Sequence, residues 1–473
     1  MSIDIDKIRE QIKLRHSDDE KQLEVIFSSN SRLLVEAPAG YGKTNTLISK
    51  IAYMIITNQI PYPSRLLALT FSVNAAYKIK KDVNSQIPEL LNESAIDPNS
   101  KIFVSNYHGF CRSVLGKYGY LFHENLRKID ILQSIDDSNQ QNLQQSVSGL
   151  VFTDAKKLSD FSDAVKRIDK SFIENNLDEY NSIVINELIS REIISFNSIL
   201  TLTLAIFRKY VNIHSFYLKY FKSILVDEYQ DTNILSYYLL NELISDTSNV
   251  MLLGDSLQRI YGFIGAIPNL LTNSKTEFQL KKIVLNKNYR FADNEQMLLL
   301  DSNIRQNAEK PQSPVISHEA NIEFEYLENQ AKEANKIVNM SLDLIENDAN
   351  SKIAILVKQR GNNINRIIDE FNSQGVPFFY GLFSDEDPNY VMFHKICLSE
   401  FIDLLKESDR ITRARLRKFV HKIEEKIDNA PQSLVESLIN LLGIFINKLF
   451  TDFAAWSNTD KIRLIKDTFE YNG

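Results

Sequence analysis

Two segments hold residue types whose spacing suits phosphate chemistry. The first is Ala37-Pro38-Ala39-Gly40-Tyr41-Gly42-Lys43-Thr44, a phosphate-binding loop with Ala in place of its first Gly. Small residues let backbone N–H groups wrap phosphate oxygens, and a helix starting there adds a favourable dipole. Lys43 can neutralise the β and γ phosphates, and Thr44 can ligate Mg²⁺. The second is Ile224-Leu225-Val226-Asp227-Glu228-Tyr229-Gln230-Asp231-Thr232. An apolar strand there delivers two carboxylates at the edge where parallel sheets bind ligands. Asp227 would hold Mg²⁺, and Glu228 would orient and deprotonate an attacking water. A strand ending in an acidic pair is common by chance. The Gly-Lys-Thr loop upstream gives this one its meaning: a nucleoside-triphosphate site that uses Mg²⁺.

The elements that must position these groups are readable from hydrophobic runs. Strands are expected at Leu33–Glu36, Leu66–Thr70, Ile102–Ser105, Ile224–Asp227, Val250–Leu253 and Ile283–Leu285. Most are continuous Ile/Leu/Val, as in a parallel sheet covered on both faces. The helix after the first strand places Leu47, Ile48, Ile51 and Ile55 on one stripe. From Cys111 to Phe216 the chain turns polar, with helical periodicity, and reads as an insertion. A second α/β series follows, with strands at 321–327, 352–357 and 376–381 and helices at 332–345 and 362–371. Beyond about Asp385 the pattern is again helical.

Bulk properties exclude several classes. The 473 residues are too many for one core. No apolar run approaches the ~20 residues of a membrane span, and the charged N-terminus has no signal core, so no membrane partner is expected. Two cysteines, Cys111 and Cys397, build neither a disulfide framework nor a zinc cluster, and a reducing cytoplasm fits them. The net charge of −7 argues against coating duplex DNA through an overall field, but not against gripping one strand in a local groove. Asp385, Glu386 and Asp387 read as a solvated loop rather than a nuclease centre.

The run from Val226 to Asn233 strongly resembles the corresponding motif of the UvrD/Rep/PcrA group of superfamily 1 DNA helicases, and the neighbouring segments match in order. Gln22 is similar to that family's adenine-reading glutamine. Thr70, Phe71 and Asn74, in the run from Leu69 to Ala76, resemble its first single-strand-binding segment. Tyr107 and His108 resemble the next, with Asn106 where the family usually has Thr. The run from Gly254 to Ala266 resembles the motif that couples the γ-phosphate to DNA. There the resemblance makes Gln258 the phosphate sensor and Phe263 a stacking face beside Tyr261; Ile264 stands where Arg is usual. Leu285–Arg290 is similar to the segment supplying an arginine finger, so Arg290 is the expected transition-state cation. Single-strand binding without sequence preference needs aromatic faces and small polar groups, which these segments contain.

The resemblance implies an α/β fold with a RecA-like parallel-sheet P-loop NTPase core, spanning 1–110 and 216–292. A helical insertion at 111–215 would be an accessory DNA-binding subdomain. A partial second RecA-like core at 293–400 and a helical region at 401–473 would follow. The second-core motif Thr-x-His-x-x-Lys-Gly-Leu-Glu has no counterpart, and Thr412–Arg415 imitates the last motif only superficially, so the chain is expected to be C-terminally incomplete relative to the family. The implied function is an ATP-dependent helicase or 3′ to 5′ single-strand translocase. Its partners would be single-stranded DNA or DNA junctions and a protein, and by analogy with the helicase subunit of Gabija-like anti-phage systems that protein would be a nuclease. The competing expectation is a regulatory subunit that binds ATP and DNA without unwinding.

Overall fold

The computed structural model describes residues 5–17, 19–91, 97–315, 325–348, 353–357, 362–376 and 378. The chain divides into two compact units, Met1–Ala320 and Asn321–Gly473. In the first, α1 (Ile5–Arg15) and α2 (Glu20–Phe27) lead into β1 (Arg32–Glu36) and α3 (Lys43–Ile56). Next come β2 (Leu66–Thr70), α4 (Val73–Leu91), the short α5 (Pro98–Lys101), β3 (Ile102–Asn106) and α6 (Tyr107–Tyr118). After a largely helical excursion the chain returns through α11 (Val211–Tyr220), β6 (Ser223–Val226), α12 (Ile234–Leu243), β7 (Asn249–Gly254), α13 (Leu270–Glu277), β8 (Lys281–Val284) and α14 (Glu295–Glu309).

Six of these strands form one sheet in the order β3-β2-β6-β7-β1-β8, and every pairing is parallel. The strands lie within a residue or two of the segments expected from the sequence, because unbroken apolar runs are stable as strands only when both faces are covered. The alternation is visible in the packing. Leu34, Leu67, Leu69, Ile224, Val226, Val250 and Leu252 join one core cluster. Their neighbours Leu33, Val35, Leu66, Ala68, Leu225, Met251 and Leu253 join the cluster on the opposite face. Parallel pairing brings all the C-terminal strand ends to one edge. There the loops after β1, β6 and β7 meet.

The excursion contains β4 (Gln133–Ile135), α7 (Gln140–Ser146), α8 (Phe152–Arg167), α9 (Lys170–Ile183), β5 (Ile193–Ser195) and α10 (Phe196–Lys209). Its apolar residues, among them Leu158, Phe161, Leu177 and Leu202, share the first core cluster, so it packs as part of the sheet's cover. The sequence pattern did not reveal the two-stranded parallel ladder, Gln133 to Ser195, that ties its ends together. Next to this ladder Asp137 is buried, 1 % exposed. It accepts from the Tyr180 hydroxyl and from Asn197 Nδ2 at 3.1 Å. Tyr180 also meets Ser195 Oγ at 2.8 Å and stacks on Phe161 with ring centroids 4.0 Å apart. Burial raises the Asp137 carboxyl above its ordinary range, against the pull of its hydroxyl donors.

In the second unit α15 (Gln330–Asn347) and α16 (Asn362–Ser373) pack around Val338, Phe371 and Val376. Residues 325–327 and 353–357 carry no ladder among the described residues. The rest of the expected second-core strands, the acidic turn at Asp385, Thr412–Arg415 and the region 401–473 lie outside the described residues.

Removing the Asp137 carboxylate deletes the hydrogen bonds it accepts from Tyr180 and Asn197, which keep Ser195 Oγ and Ser162 Oγ as their remaining partners. Asp137→Ala should therefore cost about 1–3 kcal/mol in denaturant unfolding, whereas Asp137→Asn, which still accepts, should cost less.

Candidate nucleotide and single-strand site

The chain leaves β1 through Ala37 and Pro38, both buried, and then exposes Ala39. Gly40 and Gly42 are both left-handed, at φ +87° and +76°. A Cβ at Gly40 would sit 2.7 Å from Arg290 Cβ, and one at Gly42 would collide with the Gln22 amide. Only glycine allows this turn and this approach. No side chain caps α3, whose first residue is Lys43, so its first N–H groups are open to an anion. By contrast Asp19, Asn106, Ser195 and Asn233 cap the helices that follow them.

Lys43 reaches Glu228 Oε1 at 2.6 Å and Asp227 Oδ1 at 3.6 Å. Burial disfavours its charge, but the two carboxylates outweigh burial and hold the amine above its ordinary value. Asp227, at the end of β6, is raised mainly by desolvation, with Lys43 opposing. Its Oδ1 is buried without a hydrogen-bond partner, an acceptor aimed where a hard cation fits. Thr44, half-buried in the first turn of α3, is the second oxygen ligand available. Mg²⁺ is usually held by one or two protein oxygens plus phosphate and water. Glu228 is itself left-handed (φ 51°, ψ 42°), an uncommon backbone state for a non-glycine residue and one enriched at functional sites. Gln230 Nε2 steadies it at 2.8 Å.

Gln22 lies behind the loop and is 3 % exposed. Its Nε2 donates to Tyr41 O at 3.2 Å, and its Oε1 faces His16 Nδ1. The amide thus braces the loop, with one further hydrogen available for a base. Tyr41 donates its hydroxyl to Asp301 Oδ2 at 2.7 Å. Arg290 is exposed and is held beside Gly40 by its backbone: its N–H donates to Asn288 Oδ1 at 2.9 Å, and Tyr289 N–H donates to Gly40 O at 2.8 Å. Gln258 donates to Asp255 Oδ2 at 2.7 Å.

Among the expected DNA contacts, Phe71 and Tyr261 come together, with ring centroids 4.5 Å apart. Tyr261 and Phe263 follow at 6.1 Å. Phe263 is 75 % exposed, and Asn74 is exposed in the first turn of α4. These make a continuous aromatic run on the sheet's C-terminal edge. Two assignments need correction. Tyr107 is 2 % exposed and Thr70 is fully buried, so neither offers a surface to a strand. Tyr107 packs in the core with its hydroxyl 3.4 Å from Thr232. Burial pulls His108 down to about 4, with a Phe196 backbone contact opposing, so the ring is uncharged at neutral pH. Its neighbour Phe196 lies edge-on at 6.2 Å and is half-exposed. That is an aromatic face the sequence pattern concealed inside an ordinary amphipathic helix.

Residues 18–279, more than half of the chain, match the family model described as the UvrD/REP helicase N-terminal domain. The chain belongs to the UvrD/REP helicase family. It is 28 % identical over 294 residues to the ATP-dependent DNA helicase PcrA of Leuconostoc citreum, covering 59 % of this chain and 38 % of that protein. PcrA of Staphylococcus aureus strain Mu50 is 28 % identical over 296 residues, with the same shares. A probable DNA helicase II homolog of Mycoplasma capricolum is 29 % identical over 289 residues, or 58 % and 39 % of the two chains. The match thus spans about two-fifths of the length of these curated relatives. The helicase-family segment holds the phosphate loop, the Asp227–Glu228 pair and the aromatic run, whereas Arg290 and α14 follow it. Among the described residues no helix is long and apolar enough to cross a membrane.

Two outcomes follow from this geometry. Gly40→Ala forces a side chain into Arg290 at a left-handed position costing ~1–2 kcal/mol. ATP affinity, read by calorimetry, should fall about tenfold or more. Asp231, pushed up to about 6 first by burial and then by Glu228, lies above its unfolded value of about 3.9. Its contribution to stability is complete below that unfolded value and is lost as pH rises through about 6. Asp231→Asn should therefore raise the melting temperature at about pH 8 and change it little at about pH 4.

Proposed function

We propose that this chain is an ATP-hydrolysing motor on single-stranded DNA, a helicase or 3′ to 5′ translocase that acts with a protein partner in DNA repair or phage defence. The observation carrying the reading is the convergence of Lys43, Glu228 and Asp227 within 3.6 Å beneath a left-handed glycine loop and an uncapped helix start. ATP places its phosphates on those N–H groups, and Lys43 turns from Glu228 to the phosphate oxygens. Freed from Lys43, Glu228 accepts a proton from the attacking water. Gln258 contacts the γ-phosphate, and Arg290 offsets charge developing on the transferred group. Mg²⁺, held by Thr44 and Asp227, would add Lewis-acid charge neutralisation at the phosphates. Gln22 fits a contact to the base as well as bracing the loop.

The DNA half of the reading rests on Phe71, Tyr261 and Phe263. They lie in one line of rings, and Phe263 belongs to the same short segment as Gln258. Stacking on such rings is sequence-tolerant and worth about 1–3 kcal/mol per base.

The test is steady-state ATP turnover with and without single-stranded DNA. The wild type should be stimulated by DNA, Lys43→Ala should lose about 10²-fold or more, and Phe263→Ala should retain basal turnover while losing most of the stimulation. Absence of hydrolysis in the wild type under both conditions, with partner supplied, would overturn the reading. Tight ATP binding without turnover would instead favour a nucleotide-gated regulatory subunit.

A further inference from the structure

One partly buried ion network adjoins the site and extends beyond it. Asp255, where β7 ends, is 1 % exposed. Its carboxylate accepts from Leu257 N–H at 3.0 Å, Gln258 Nε2 at 2.7 Å and the Arg305 guanidinium at 3.0 and 3.4 Å. Arg305 lies on α14, about 50 residues further along the chain and outside the segment matched to the family. Its Nε donates to Asp301 Oδ1 at 3.2 Å, one turn earlier on the same helix. The other Asp301 oxygen accepts from the Tyr41 hydroxyl at 2.7 Å and from Asn288 Nδ2 at 3.2 Å. The Arg305 guanidinium also lies 5.6 Å from the centre of the Tyr41 ring.

The connections continue to both ends of the proposed chemistry. Asp255 N–H donates to Gln230 Oε1 at 3.1 Å, and Gln230 holds Glu228. Asn288 holds the backbone of Arg290 and Phe291. A single guanidinium therefore bridges the phosphate loop, the Gln258 segment and the Arg290 segment. The chemistry selects arginine. A carboxylate as buried as Asp255 needs a paired, hydrogen-bonded cation, and only a planar fork can serve two carboxylates at fixed angles while stacking on a ring. With both carboxylates engaged, Arg305 is committed to them rather than free for a phosphate.

We propose that Arg305 is a positioning residue of the ATPase site. By bridging Asp255 and Asp301 it sets Gln258 at a fixed distance from the Tyr41 loop, so that the site distinguishes a triphosphate from a diphosphate. This rests on the nucleotide-binding reading above but not on hydrolysis or unwinding.

The experiment measures the affinities of the full chain for ATP and ADP with Mg²⁺, by displacement of a fluorescent nucleotide, alongside the melting temperature without ligand. Arg305→Lys keeps the charge and removes the fork. It should melt close to the wild type and lose about tenfold of the preference for ATP over ADP, the size expected for one charged hydrogen bond. Gln258→Ala should lose a similar factor, and the double variant should lose no more than the worse single, because both act through one contact. Preserved preference in Arg305→Lys, or losses that multiply in the double variant, would overturn the proposal. Should Arg305→Lys fail to fold, Tyr41→Phe carries the test: it deletes only the hydroxyl on Asp301, and an unchanged preference there overturns the proposal equally. Wild-type turnover in parallel decides the motor reading separately, since the affinities are read without hydrolysis.

Discussion

A lysine with little access to water holds its charge best against carboxylates, and the position of Lys43 depends on that constraint. Its side chain is only 12 % exposed, and burial disfavours its charge. The carboxylates of Asp227 and Glu228 keep it charged and fix its direction. The same pairing restrains the acids, which would otherwise repel each other at the end of β6. Every element around the site can be understood as a device for bringing these three groups together from residues 43 and 227–228, nearly two hundred positions apart. The sheet order interposes only β7 between β1 and β6, and parallel pairing puts both loops on one edge.

That arrangement also explains why the site is linked to the aromatic run. β7 lies between the phosphate-loop strand and the acidic strand, and its C-terminal loop continues directly into Gln258, Tyr261 and Phe263. Under the proposed function, a phosphate contact at Gln258 would therefore act on the loop that carries the rings. Gly265, left-handed at φ +90°, lets this loop approach the backbone of Val165 and Lys166 at the end of α8. The insertion therefore touches the loop that carries Gln258, Tyr261 and Phe263 directly. Coupling of this kind needs no long pathway, only a short loop with contacts on both sides.

Much of this was legible in the sequence. The six strands announced themselves as uninterrupted apolar runs, and the loop and acidic pair stood at the expected strand ends. Side-chain burial was not legible. Tyr107 and Phe71 look equivalent in a motif, yet one ring faces the core and the other faces Tyr261, because helix α6 begins at Tyr107 and turns it inward. Thr70 failed for a similar reason: the last residue of a central strand stays beneath its neighbours. Arg305, Asp301 and the Asp137 network had no local signal, since each matters only through partners that the fold brings from distant positions. Phe196 was hidden because a helix start with an apolar residue resembles core packing.

The pairing of Lys43 with Glu228 makes a definite demand on nucleotide binding. If Glu228 competes with phosphate for the same amine, removing its charge should favour the bound state while abolishing proton acceptance. The decisive measurement is ATP affinity by calorimetry, with turnover alongside, for Glu228→Gln against the wild type. Tighter ATP binding with turnover down by about 10²-fold or more is the expected result. Weaker binding, or turnover close to the wild type, would contradict a buried lysine–carboxylate pair that opens to admit the phosphates and frees the acid to take a proton.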